Sequence, residues 1–117
     1  SADALRVHVG TVRSSVSEAL LITATGDAGR LPPPFRRTEV ELLQRDVDLA
    51  ARSLATAKPE PELRERFAEV ANLASRAATE LHTLTAEGAP AESVIAAQAT
   101  LAELVLRVQA IERELGP

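Results

Sequence analysis

Proline and glycine divide this chain more sharply than any other feature of it. Eleven of its seven prolines and five glycines fall in three clusters, Gly26 to Pro34, Lys58 to Pro61 and Gly88 to Pro90, or in the closing Gly116-Pro117. A proline in a helix interior costs about 3 kcal/mol, so the stretches between clusters are where helices can run. The spacing predicts four of them, near residues 4–25, 38–57, 61–87 and 90–115. Thr38-Glu39-Val40-Glu41 reads as a capping box for the second, in which the hydroxyl and the carboxylate satisfy free N–H groups of the first turn. Pro61 and Pro90 suit the first position of the third and fourth helices, and Gly88 and Gly116 suit left-handed stops.

The apolar residues inside these segments step by three and four. The third carries Leu63, Phe67, Val70, Ala74, Ala77, Leu81 and Leu84, and the fourth Val94, Ala97, Leu101, Leu104, Val108, Ile111 and Leu115. The first carries Leu5, Val9, Val12, Val16 and Ala19, and the second Val40, Leu43, Val47, Ala50, Leu54 and Ala57. Stripes of this period bury against one another at small crossing angles, and short turns make neighbours antiparallel. The expected fold is all-α, an up-down-up-down four-helix bundle in one domain spanning 1–117. At 1.5 Å per residue the helices are about 30–39 Å long, which gives a rod with both termini at one end. Alanine on the seams implies close helix approach. Leu20, Leu21, Ile22, Leu42, Leu49 and Leu106 lie off the seams and widen the apolar stripes, in part as a face for a second copy. In the linker 26–37, Leu31 and Phe35 are expected to cap one end of the bundle.

Composition narrows the function. The chain has no Cys, which removes disulfides, thiol catalysis and zinc–thiolate sites. A formal charge of −4 and the lack of any basic run disfavour nucleic acid as a partner. The longest uninterrupted apolar stretch, Ala19-Leu20-Leu21-Ile22, is far shorter than the roughly 20 residues of a membrane span. A chain that begins at Ser1 and contains no Met reads as a segment of a longer protein.

Few residues offer chemistry, and neither a cofactor, a metal site nor an enzymatic activity is expected. A di-iron bundle needs Glu-x-x-His pairs, but Leu5 and Thr79 stand three before His8 and His82. The two histidines, near opposite ends of parallel helices, should lie about 25 Å apart, too far to share a haem. A lone helical histidine also serves phosphotransfer bundles, through a His-x-x-Lys-Gly pattern. After His82 those positions hold Thr85 and Ala86, so the commoner role, a partly exposed polar residue beside the core, is expected for His82 and for His8. The mixed charges of the third and fourth helices read as solvated faces.

The first helix is less regular. Gly10 costs a helix roughly 1 kcal/mol relative to Ala, which either serves close approach by another helix or is a tolerated imperfection. Arg13 stands beside the seam, toward a flank where a second copy can pack, with an anion between two such arginines. The alternative is a single solvent-facing arginine. Gly10-x-x-Arg13 on the opening helix of a small bundle resembles the extracytoplasmic sensing domains of nitrate/nitrite sensor histidine kinases and of the type IV pilus chemotaxis transducer. There the opening helix follows Ala-Gly-x-x-Arg-Met-x-Ser-x-Arg; here Val9, Ser14 and Glu18 replace the Ala, the Met and the later basic residue. The stretch Ala97 to Glu112 is similar to that family's closing helix, with Ile111 in place of its aromatic residue. The resemblance implies that Gly10 and Arg13 line a site for a small anionic ligand at a homodimer interface.

The expected function is therefore ligand sensing in a membrane-anchored receptor, a histidine kinase or chemoreceptor. The domain would be periplasmic or otherwise extracytoplasmic, and a shift of the first helix against the last would carry the signal. The alternative is a cytoplasmic helical-bundle module whose wide apolar stripe accepts a partner helix. Phosphotransfer through His82 stands third.

Overall fold

A computed structural model of the chain describes residues 1–24 and 34–116, with the side chains of residues 34 and 35 left out. It is the expected four-helix bundle: α1 (Ala2–Ala24), α2 (Pro34–Thr56), α3 (Arg64–Thr85) and α4 (Ala91–Leu115), with no strand among the described residues. Each helix packs against the next, and α4 returns to pack against α1, while only α1 and α3 touch appreciably across the diagonal. The molecule measures 44 × 23 × 20 Å.

The helix ends follow local chemistry, with some shifts from the sequence pattern. Ser1 caps α1: its hydroxyl accepts the Ala4 N–H at 3.2 Å and its carbonyl the Leu5 N–H at 3.1 Å, so the helix starts at Ala2. The second helix begins at Pro34, which places Thr38 inside it and overturns the capping box. Proline suits a first helical turn, and Pro34 is the last of three in a row, so nothing after it delays the helix. That helix ends at Thr56, ahead of Lys58-Pro59, because a residue before proline is steered away from helical geometry; Ala57 is therefore exposed rather than on the seam. Pro61–Leu63 forms a 3-10 turn before α3, in which Leu63 N–H donates to the Glu60 carbonyl at 2.9 Å. Pro90 stands one position before α4, its carbonyl accepting from Ser93 and Val94. Gly88 and Gly116 both take φ of +72°, which glycine adopts without a Cβ penalty, although the ψ of −178° at Gly116 is extended rather than that of a left-handed helical stop. The capping role expected of Leu31 and Phe35 lies outside the described residues and side chains.

The seams form one core. Leu5, Val9, Val12, Val16 and Ala19 of α1 meet Val40, Val47, Ala50 and Leu54 of α2, Phe67 to Leu84 of α3 and Val94 to Ile111 of α4. Leu43, Leu63 and Leu115 are half-buried at its edge. The α2–α3 contact is the most extensive, and both helices bury alanines, Ala50 and Ala51 on one and Ala74, Ala77 and Ala78 on the other. Small side chains let helix axes approach, which is how a core with so little aromatic volume stays filled.

Candidate functional site

Polar contacts fix α4 on both flanks. On the α1 side, Arg6 donates from Nε and a terminal nitrogen to the Leu115 carbonyl at 3.3 and 3.1 Å, and also pairs with Asp3 at 2.6 Å. A turn and more further along, Arg13 Nε meets Glu112 Oε1 at 2.8 Å. On the α3 side, Glu69 accepts Arg66 at 2.8 Å from its own helix and both Nε (2.8 Å) and a terminal nitrogen of Arg107 from α4, while Arg66 also reaches Glu114. The Arg107 hydrogen bond, together with the positive charge of both arginines, outweighs desolvation and holds the Glu69 carboxyl below the ordinary carboxylate range. Glu69 in turn raises Arg107.

The two residues singled out for a ligand, Gly10 and Arg13, come together at Glu112. A Cβ built on Gly10 would lie 3.9 Å from Glu112 Oε2 and meets no other neighbour within 4 Å, so the bundle's own helices do not crowd this glycine. The Arg13 guanidinium already has a carboxylate, at the place where an anion would pair with it. Glu112 was not anticipated beside Arg13, because no local pattern connects the two ends of the chain.

The histidines line separate grooves on α2. His82 is exposed, in a groove of about 420 Å³ with Glu41, Gln44, Arg45 and Asp48 of α2 and Thr85 of its own helix. The Thr85 hydroxyl donates to the His82 carbonyl at 3.0 Å. His8 is half-buried, in a groove of about 350 Å³ with Thr11, Asp46 and Leu49. Among the described residues no three His, Asp or Glu side chains converge as a metal site would require.

What α4 leaves unsatisfied is its outer surface. Ile95, Ala99, Ala102 and Leu106, spaced by four, three and four, form one line on the solvent side, with Ile95 49% and Leu106 64% exposed. Among the exposed residues from Ile95 to Leu106 only Glu103 is charged. On α1, Gly10, Ser14, Ser17 and Leu21 repeat the same spacing without a charge, and Leu21 is 69% exposed. By length and composition α4 is apolar enough to cross a membrane, with a mean hydropathy of 1.5 over its most apolar stretch, only a third of which is buried in the bundle. A count of uninterrupted apolar residues does not register this, because Gln98, Thr100, Glu103, Arg107 and Gln109 keep every run to four residues or fewer while the average over the helix stays apolar. Of the leucines and isoleucine read as off-seam, Leu20 and Ile22 pack against the core, whereas Leu21, Leu42, Leu49 and Leu106 stand exposed. Ile95 belongs with these, and its signal was its register with Leu106.

No family model matches the chain, and comparison with curated proteins and with solved structures likewise finds no match.

Proposed function

We propose that this chain is a helical-bundle interaction module that receives an apolar helix of a partner protein along the outer face of α4. The observation that carries this is the line Ile95, Ala99, Ala102 and Leu106, exposed on a helix whose buried side is already complete. An apolar line on the open side of a helix is surface that a partner can cover, and apolar anchors at this spacing are how a helix docks on a helix. In this reading no residue is catalytic. His82 is an exposed side chain in a groove of mixed charge, with Glu41, Arg45 and Asp48 beside it, and this reading gives it no chemistry.

The sensor reading has one observation in its favour. Arg6 and Arg13 couple α1 directly to α4, the pair of helices whose relative shift would carry a signal through a membrane receptor. It requires an anion at Gly10 and Arg13 to displace Glu112, and a second copy across the same flank.

A photo-crosslinking residue placed at Ala99, with one at Ser75 on α3 as control, tests the module in cells that express the protein. The expected result is a discrete adduct from position 99, absent from position 75 and lost on Leu106→Glu. Leu106→Glu should itself change stability by no more than about 0.5 kcal/mol, as surface substitutions do. Equal labelling from both positions, or an adduct indifferent to Leu106→Glu, would overturn it.

A further inference from the structure

A groove away from α4 lies where α2 gives way to α3. Its volume is about 620 Å³, within the range of small-molecule sites. Leu54 and Phe67, both buried, and the half-buried Ala71 give it an apolar floor, and Pro59 stiffens the connection that forms one wall. Lys58 and Arg64, both exposed, line the same groove.

Charge and apolar surface meet here. The chain has 17 acidic residues, yet none lines the groove. Neither Lys58 nor Arg64 forms a salt bridge, a state that Arg45, Arg76 and Arg113 share elsewhere on the surface, but here two such cations line one apolar groove. Two cations without counter-charges stand over an apolar surface, in a molecule whose net charge is −4.

We propose that this groove binds a small amphipathic carboxylate, of the medium-chain fatty acid kind. The aliphatic chain lies along Leu54, Phe67 and Ala71, and the carboxylate pairs with Lys58 and Arg64. A bare inorganic anion would leave the apolar floor unused, and a neutral alkane chain would leave both cations unpaired. The α4 face takes no part, so either proposal can fail without the other.

Octanoate is the probe, with octanol, octyltrimethylammonium and acetate beside it, each titrated into the isotope-labelled chain and followed by amide NMR. Octanoate should shift amides of residues 54–58 and 64–71 saturably, and acetate should not. Octanol should bind about fivefold more weakly, the difference an exposed ion pair is worth, and octyltrimethylammonium more weakly still. The double substitution Lys58→Gln/Arg64→Gln, at exposed positions, should bring octanoate down to the affinity of octanol and leave octanol unchanged. Ala68→Leu, which fills the groove from an exposed position, should weaken both. Equal affinity for octanol and octanoate, an unchanged octanoate affinity in the double variant, shifts centred on another groove, or no saturable shift below the micelle concentration would each overturn the proposal.

Discussion

Arg13 of α1 and Glu112 of α4 share a salt bridge of 2.8 Å, each side chain 38% exposed, and Gly10 lies one turn before Arg13 against the same carboxylate. Arg13, read from sequence as part of an anion site, thus forms an ion pair between the first helix and the last with a carboxylate of the chain itself.

An anion at Arg13 must compete with Glu112. Melting by scanning calorimetry, in nitrate, nitrite, sulfate and chloride at equal ionic strength, should show no anion-specific shift in the unmodified chain. Glu112→Gln, which frees the guanidinium, should be the form that responds. If instead the unmodified chain is stabilised by about 2.7 kcal/mol at a hundredfold excess of one anion over its Kd, and Arg13→Ala abolishes the effect, the sensor reading gains and the module reading loses.

Gly10→Ala should stabilise the bundle by about 1 kcal/mol. The new methyl would sit at ordinary van der Waals distance from Glu112 Oε2, and a helix interior gains by exchanging glycine for alanine. Urea denaturation followed by far-ultraviolet circular dichroism measures this. A loss of stability would mean that something outside the monomer, a second copy above all, approaches α1 at that point.

The Glu69 cluster gives the bundle an acid-sensitive component. Because the folded-state carboxyl ionises below its ordinary value of 4.5, its contribution is complete above that pH and is lost as pH falls through the folded value. Glu69→Gln should melt a few degrees below the unmodified chain at neutral pH, with the gap narrowing below about pH 4.5 and closing once Glu69 is protonated. A gap constant from pH 7 to pH 2 would show that the glutamate contributes by packing alone.

The seams were legible because burial and helical period are the same information: Leu5, Val47, Leu81 and Leu101 could be read as core from spacing alone, and all are fully buried. The starts of α1 and α2 were less so. Ser1 and Pro34 set them, and each lies outside the apolar pattern that marks the helix. Thr38 to Glu41 has the composition of a cap but stands where the helix is already under way. Pairings between helices were not legible at all. Whether Arg13 faces Glu112 or solvent depends on the register of α1 against α4, which the packed core fixes and no short stretch of sequence contains. The open sides of the bundle were half visible, since Leu106 and Leu21 stand off the seam, whereas Ile95 is distinguished only by which residues share its line.

The hold of Arg6 on the Leu115 carbonyl has a topological consequence. Because α4 lies beside α1 as each other helix lies beside its successor, the four form a closed cycle that the chain happens to enter between them. A short linker from Gly116 to Ser1 would complete that cycle, and new ends could be opened at Gly88, where the backbone has already left the helix. The order in which the helices are synthesised is then separable from the way they pack, and the same core should assemble from the permuted chain.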